Sequence, residues 1–271
     1  MNHQNIILVK VDRKRFGCDA DYFKPDFRDK TISLQKHCTG GSASLPHSYN
    51  FLNESEIMMM LDQIDSLHSL VINESNCAHH LSYFLIRKAY KALLESKQAD
   101  ERTKILVINF DQHEDFGKYT DVFYCGNWGS RIFEEKGFDF MSVGCCENDR
   151  VYARIQRHND DPADFKLDYF EDFLGVYAYY DKIYVSVDMD VLTGSYKCLR
   201  TNRTNGELTA NHLRALLRQI PTHKVFAADI TGLPPIGEKT VNRRANIDDI
   251  ESYVFDVKTA ANILLGKLVS N

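Results

Sequence analysis

The fold class is indicated most clearly by two stretches of the sequence. In each of them, an apolar run is followed directly by a cluster of acidic residues. Residues 104–116 read KILVINFDQHEDF, and residues 182–191 read KIYVSVDMDV. The apolar part of each is rich in Val and Ile and does not alternate strictly with polar residues, which is typical of strands buried on both faces of a parallel sheet. We therefore predict core strands over 104–110 and 182–187, with polar side chains at their carboxyl ends.

Similar apolar runs recur along the chain, and helical patterns separate them. Residues 81–95 and 248–268 place apolar side chains at helical spacing, and Thr209 is a candidate N-cap for a helix over 209–220. This alternation of strands and helices predicts an α/β fold with one open, mostly parallel sheet. The remaining predictions are strands at 5–11, 69–72, 140–144 and 224–228, a helix at 55–65, and a loop over residues 31–50.

The composition is that of an ordinary globular protein. The chain has 271 residues, with 33 Lys and Arg against 38 Asp and Glu and a net charge of −5, so bulk charge does not favour a nucleic-acid partner. No apolar run approaches the roughly 20 residues that span a bilayer, so we expect no membrane segment. The seven cysteines show no C-x-x-C spacing and no secretion signal precedes them, so we expect free thiols and a cytoplasmic location.

The acidic clusters carry five residues of metal-ligand type: Asp111, His113 and Asp115 after the first strand, and Asp188 and Asp190 after the second. Ligands of open α/β sheets bind beyond the carboxyl ends of the strands, and residues two apart in an extended chain point the same way. Close carboxylates repel one another unless a cation compensates them, and this donor set suits a hard ion such as manganese. Four carboxylates exceed the needs of one ion, which indicates two bridged ions; the alternative is a set of solvated loop carboxylates.

These motifs resemble those of the arginase–agmatinase–formiminoglutamase family, the ureohydrolases, from Val71 to the C-terminus. The family's D-x-H-x-D motif matches residues 111–115, and its S-x-D-x-D motif matches residues 186–190, which adds Ser186. Three further stretches resemble family motifs in the same order: residues 125–127 (CGN), 205–209 (NGELT) and 229–230 (DI). The resemblance implies a three-layer α/β/α architecture of the arginase–deacetylase type, with residues 1–271 as a single catalytic domain.

The resemblance also implies two manganese ions and hydrolysis of a guanidino group to urea. A further His ligand precedes the first motif in the family, and here His79 and His80 compete for that position. Asp115 and Asp190 are implied to be needed for turnover, Asp115 as the proton carrier, and Asn127 is implied to contact the substrate and to assist catalysis. Homo-oligomers are frequent in the family, so we expect one here. The implied ligands are His79, Asp111, Asp115 and Asp188 for one ion, and Asp111, His113, Asp188 and Asp190 for the other.

Two departures from the family pattern indicate an altered substrate pocket. The family's guanidinium-binding Glu corresponds to Gly232, and Trp128 stands after the CGN stretch, where the family has a His nearby. Trp128 is either a core residue or a wall of the substrate cleft beside Asn127. The candidates for a replacement carboxylate that binds the substrate are Glu238, Asp229 and Glu114, of which Glu114 is expected to point away from the metals.

With this altered pocket, the sequence resembles the peptide arginases of ribosomal peptide maturation, which convert arginine within a peptide to ornithine. We therefore expect an arginine-containing peptide as substrate, with a small guanidino compound as the alternative. Two other functions stay open. One is a deacetylase-like amidohydrolase of the same fold, with one zinc ion and the pair His79–His80 as acid and base; the other is a non-catalytic binding module that retains the metals. A phosphatase-like dimetal hydrolase is disfavoured because the sequence lacks a basic phosphate cradle.

Overall fold

Nine strands among the described residues form one sheet in the computed structural model. They are β1 (Asn5–Lys10), β2 (Lys30–Ser33), β3 (Ser69–Asn73), β4 (Ile105–Phe110), β5 (Phe138–Glu147), β6 (Arg150–Arg157), β7 (Asp160–Lys166), β8 (Lys182–Asp188) and β9 (Val225–Thr231). The structure describes residues 5–10, 30–33, 61, 69–73, 79–117, 125–135, 137–147, 150–158, 160–166, 170–195, 206–233 and 247–269.

The order of the strands across the sheet is β2-β1-β3-β9-β8-β4-β5-β6-β7. All neighbours from β2 to β5 pair in parallel, which confirms the predicted mostly parallel sheet, and β6 and β7 add an antiparallel hairpin. The two motif-bearing strands, β4 and β8, are neighbours and are buried along almost their whole length. Their apolar runs do not alternate because both faces of the sheet are covered there.

Three strands differ from the predictions made from the sequence. β2 lies at one edge of the sheet and includes residues 31–33, so the predicted loop over 31–50 is wrong for these residues, and the rest of it lies outside the described residues. β6 (RVYARIQR) and β7 (DDPADFK) lie at the opposite edge. Edge strands tolerate charged residues and Pro, so these strands lack the apolar run on which the prediction relied.

Five helices cover the sheet in the part of the chain that the structure describes: α1 (Leu81–Glu95), α2 (Trp128–Glu134), α3 (Phe170–Tyr179), α4 (Ala210–Gln219) and α5 (Ile247–Val269). The first and the last two confirm predicted helices, and the Thr209 hydroxyl accepts a hydrogen bond from the His212 N–H (3.2 Å) as the N-cap. α2 is only two turns long, and α3 contains Gly175 and several aromatic residues of low helix propensity, so neither stood out. The predicted helix at 55–65 lies outside the described residues apart from Leu61.

The helices lie on both faces of the sheet, which confirms the three-layer architecture. On one face, α1 and α2 pack through residues such as Phe84 and Trp128. On the other face, α3, α4 and α5 pack through residues such as Tyr177, Leu217 and Val257. None of the helices in the described ranges is long and apolar enough to cross a membrane.

A row of buried polar side chains crosses the central strands just below their carboxyl ends. Alternation along a strand puts residues two apart on the same face, so this row lies directly beneath Asp111 and Asp188, which follow two positions later. The sheet therefore supports its most acidic edge with polar groups rather than with aliphatic packing. The members of this polar row, in order across β5, β4, β8 and β9, are Ser142, Asn109, Ser186 and Asp229.

Candidate metal centre

The two acidic motifs converge at the carboxyl ends of β4 and β8. Asp111 follows β4 directly, and its N–H donates to the Val143 carbonyl of β5 (3.0 Å), so it extends the ladder by one residue. Asp188 ends β8, and its Oδ1 accepts a hydrogen bond from the N–H of Asp190 (2.9 Å) in the short 3₁₀ turn Met189–Val191. All three carboxylates are buried at this edge of the sheet.

His79 and His113 flank these carboxylates and define two groups of candidate metal ligands. In the first group, His79 Nδ1 lies 3.0 Å from Asp111 Oδ2 and 3.5 Å from Asp188 Oδ2. In the second group, His113 Nδ1 lies 3.1 Å from Asp111 Oδ1 and 3.4 Å from Asp190 Oδ2. The ligand atoms of each group lie within 4.8 Å of one another. Asp111 belongs to both groups, with one oxygen towards each histidine, which is the position of a bridging carboxylate.

Asp115 borders the first group without belonging to either. Its Oδ2 lies 3.1 Å from His79 Nδ1, and its side chain is buried. The backbone φ of Asp115 is +56°, a left-handed conformation that residues other than glycine adopt at a cost. The D-x-H-x-D motif therefore converges through a turn after Asp111, and not through continued strand alternation as the spacing predicted.

Burial perturbs the protonation of the cluster. Burial, followed by the charge of Asp111, raises the pKa of Asp115 to about 7 and the pKa of Asp190 to about 8. Burial also raises the pKa of Asp188 well above its ordinary value, with the charges of Asp190 and Asp111 adding to the effect. Such carboxylates are compensated either by protons or by a cation. Because the donors are imidazole nitrogens and carboxylate oxygens, the set fits a hard divalent ion.

A second layer of hydrogen bonds orients His79. Its Nε2 lies 2.8 Å from the Ser186 hydroxyl, and this hydroxyl donates to Asp229 Oδ1 (2.9 Å). Since Ser186 gives its proton to Asp229, its oxygen accepts from the Nε2–H of His79, and the lone pair of Nδ1 faces the carboxylates. A lone pair opposite Asp111 and Asp188 needs a proton or a metal cation between them, so Nδ1 is a candidate ligand atom.

Asp229 serves this second layer rather than a substrate pocket. Its fully buried carboxylate accepts hydrogen bonds from the hydroxyls of Ser82 (3.0 Å), Ser186 (2.9 Å) and Tyr184 (2.6 Å). Both oxygens are thus engaged by internal donors, which argues against the prediction that Asp229 binds the substrate. Ser82 and Tyr184 could not be predicted from the sequence, because a serine in an amphipathic helix and a tyrosine in an apolar strand carry no motif signal.

The other predicted site residues differ in whether they reach the ligand groups. His79, and not His80, joins a ligand group; His80 is buried at the residue before α1. Asn127 and Trp128 are fully buried, and the Trp128 ring packs edge-on against Phe140 with 5.1 Å between the ring centroids. Trp128 is therefore packed as a core residue, which favours that alternative over a wall of the substrate cleft.

Within the described residues, neither Gly232 nor the remaining carboxylate candidates form a guanidinium site. Gly232 has a φ of +90°, and its carbonyl accepts a hydrogen bond from the Tyr253 hydroxyl (2.7 Å). Glu114 accepts a hydrogen bond from Arg154 of β6 (2.6 Å between Oε1 and the guanidinium nitrogen). Glu238 lies outside the described residues.

The NGELT stretch holds the turn that carries Asp190. A Cβ at Gly206 would lie 2.2 Å from the Asp190 carbonyl oxygen, so only glycine fits there. Next to it, the Leu208 N–H donates to the Val191 carbonyl (3.0 Å), and the Thr193 N–H donates to the Leu208 carbonyl (2.8 Å). This motif therefore acts on the centre through backbone contacts. Its first residue lies outside the described residues.

The sequence of the chain matches a known protein family and one curated relative. The profile of the Arginase family matches residues 78–247, which is more than half of the chain. An uncharacterised protein of Thermotoga maritima is 28% identical over 157 residues, which cover 58% of this chain and 54% of that protein. The chain thus spans about half the length of this curated relative.

Solved structures of several hydrolases share the fold. Formimidoylglutamase from Bacillus subtilis superposes with a TM-score of 0.58 at 16% identity, over 99% of this chain and 87% of that chain. Arginase from Entamoeba histolytica, in complex with L-ornithine, gives a TM-score of 0.58 at 11% identity, over 96% and 99% of the two chains. Arginase from Bacillus caldovelox gives 0.57 at 11% identity, over 95% and 98%. At these identities the similarity shows the fold alone.

Proposed function

Because the chain belongs to the arginase family, whose hydrolases act on guanidino or amidino C–N bonds, we propose that it hydrolyses the guanidino group of arginine within a peptide. The products are ornithine in the peptide and urea. We further propose that two Mn²⁺ ions bind at the candidate metal centre and that catalysis depends on both.

The observation that carries this proposal is the pair of ligand groups that share Asp111. His79 and Asp188 complete the first group, and His113 and Asp190 complete the second. A buried set of imidazole and carboxylate ligands favours a hard divalent ion such as Mn²⁺. When bound, two such ions lower the pKa of water and polarise the guanidinium group.

Asp115 is the residue that we assign to proton transfer. It is buried beside the first ligand group and belongs to neither group, so its carboxylate can hold the proton that water loses and return it to the leaving nitrogen. In the balanced reaction, a C–O bond forms at the guanidinium carbon and the C–N bond to the arginine side chain breaks. Both protons of water end on the nitrogen that remains on the side chain: Asp115 carries the first, and the second leaves the new hydroxyl group, so that the products are an ammonium group and neutral urea.

The end of β9 supports a peptide rather than free arginine as the substrate. Gly232 offers no side chain where the resemblance places a guanidinium-binding Glu, and its left-handed backbone disfavours any residue with a Cβ. The carboxylates of Asp229 and Glu114 are engaged by hydroxyls and by Arg154, respectively. A peptide supplies binding energy from parts remote from the reacting group, so it depends less on one carboxylate than free arginine does.

Mass spectrometry of Mn²⁺-loaded protein with an arginine-containing peptide, and separately with free arginine, tests the proposal. We expect ornithine in the peptide together with urea in equal amount. Asp115→Asn should lose turnover and keep the fold, because it removes the proton carrier. The neighbouring Glu114→Gln is the matched control and should keep turnover, because Glu114 pairs with Arg154 and belongs to neither ligand group.

The alternatives predict different results. Conversion of free arginine alone contradicts the peptide assignment. Two bound ions without conversion of either substrate contradict the hydrolase proposal and favour a binding module. One zinc ion per chain, with cleavage of an acetylated amine, favours the deacetylase-like reaction; the position of His79 within a ligand group argues against this, because that reaction would need it as an acid or base.

A further inference from the structure

The sole tryptophan of the chain lies against the metal centre, although it is fully buried. Trp128 is the first residue of α2, and its indole N–H donates to Asp115 Oδ2 over 2.5 Å. Its ring also lies 5.0 Å from the His79 ring, centroid to centroid, at an angle of 55°. One side chain thus contacts both the proposed proton carrier and a candidate metal ligand.

The backbone ties the same two segments together. The Gly129 N–H, one residue into α2, donates to the Asp115 carbonyl (3.1 Å). A Cβ at Gly129 would lie 3.0 Å from that carbonyl oxygen and 2.9 Å from the Phe140 ring, so the approach is tight. Asp115 has a left-handed φ of +56°, a conformation that persists where the surroundings over-determine it. The start of α2 supplies those surroundings.

An indole N–H is a donor only, and when buried it needs an acceptor. A backbone carbonyl would satisfy that need at no electrostatic cost. Here the acceptor is instead a carboxylate beside two candidate ligand groups, which also receives a weaker contact from the Asn109 amide (3.4 Å). Both donors approach the same oxygen, Oδ2, so they restrict the rotation of the carboxylate.

We propose that Trp128 is a positioning residue that holds the Asp115 carboxylate in its working orientation and limits the movement of the His79 ring. The consequence for catalysis rests on the proposed function, whereas the hydrogen bond does not. Trp128 acts through Asp115 and does not touch the substrate. It follows the CGN stretch, where the resemblance implies a nearby histidine, and in this chain the same segment orients the proposed proton carrier.

The single tryptophan makes the hydrogen bond measurable in the intact protein. A ¹H–¹⁵N correlation spectrum has one indole N–H signal, which we expect downfield of its position in the unfolded chain. Asp115→Asn replaces a charged acceptor by a neutral one and should move the signal upfield. Ser130→Ala is the control, since it removes a different contact of α2, the hydroxyl bond to the Gly117 carbonyl, and should leave the signal in place. An indole signal at its unfolded position, or one unmoved by Asp115→Asn, overturns the proposal.

Trp128→Phe keeps an aromatic ring in the core and removes the N–H. We expect kcat for the peptide to fall by about 10–100-fold, the usual effect of losing an outer hydrogen bond at a metal site, with KM changed less than twofold. A purely structural role would lower the melting temperature without changing kcat of the folded fraction, and a substrate contact would raise KM; either result overturns the proposal. Where this variant does not fold, the spectra of the wild-type protein and of Asp115→Asn still test the hydrogen bond on which the proposal depends.

Failure of the proposed function gives a different pattern. Paramagnetic Mn²⁺ bound at the centre should broaden the indole signal, because Trp128 contacts both Asp115 and His79. An unbroadened signal at saturating Mn²⁺ contradicts the metal centre, and leaves the hydrogen bond to be judged by Asp115→Asn alone.

Discussion

The two histidines of the candidate metal centre lie in opposite environments. The side chain of His79 is 1% exposed, whereas that of His113 is 57% exposed. His79 is held on its far side by Ser186 and is flanked by Trp128. His113 lies two residues after Asp111, and its N–H donates to Asp111 Oδ1 (2.7 Å). One half of the centre is therefore pre-organised by the fold, and the other half opens to solvent.

The two halves of the candidate centre are assembled by different kinds of contact. The His79 half is built by contacts between residues far apart in the sequence, such as the bonds that link Ser186 to His79 and to Asp229. In the other half, a local turn holds His113 beside Asp111, and only Asp190 comes from a distant segment. Because buried ligands with fixed orientation bind metal more tightly than mobile ones, we expect the His113 half to exchange its ion more readily and to admit the substrate.

Asp111→Asn should break both halves at once, since Asp111 faces both histidines. An amide offers one neutral oxygen in place of two anionic ones, so we expect loss of detectable turnover and of both ions, measured by elemental analysis and by urea release. Gln112→Ala is the control and should retain both ions. Retention of one tightly bound ion in Asp111→Asn would show that the halves do not share this residue.

Asp229→Asn should weaken the His79 half alone. The amide still fits among the hydroxyls but loses the negative charge that draws the proton of Ser186, so the tautomer of His79 is less restricted. We expect one of two ions to bind about 10–100-fold more weakly in a calorimetric titration, with the other less affected. Ser142→Ala, in the same polar row but outside the His79 network, should leave both affinities unchanged. Equal weakening of both ions would contradict the division into halves.

Metal-free protein should lose stability as the pH rises from about 4 to about 8. The pKa values of Asp115 and Asp190 are raised to about 7 and about 8, so the folded chain binds more protons than the unfolded chain in this window, and rising pH favours unfolding. The raised pKa of His79 acts in the same direction. Each kcal/mol lost lowers the melting temperature by about 2–4 °C in a chain of this size.

Saturating Mn²⁺ should remove this decline, because the cation replaces the protons and binds more tightly as the carboxylates ionise. Thermal unfolding followed by circular dichroism across the pH range, with and without the ion, measures both effects. A metal-free protein whose melting temperature rises steadily between these pH values would show that the cluster is not compensated by protons.

The central part of the fold was predictable and its edges were not. β4 and β8 carry apolar runs because both of their faces are covered, and that burial marks the sequence. β6 and β7 form a polar hairpin at the edge of the sheet. Its position depends on pairing with β5, and the local sequence pattern does not predict that pairing. The short helix α2 escaped notice for a similar reason, since its stability comes from packing against the sheet.

The amino-acid sequence alone was enough to predict the α/β class, the parallel centre of the sheet and the acidic candidate ligands at two strand ends, and its motifs indicated the family. The features of the fold follow from short-range patterns, because an apolar run followed by acidic residues can be recognised within a few residues, whereas the family follows from the resemblance of whole motifs. Three contacts became visible only in the folded structure: His79 rather than His80 joins a ligand group, Asp229 supports a histidine through Ser186, and the Trp128 N–H donates to Asp115. Those roles depend on which side chains meet across the sheet, and proximity between distant segments is a property of the packed fold.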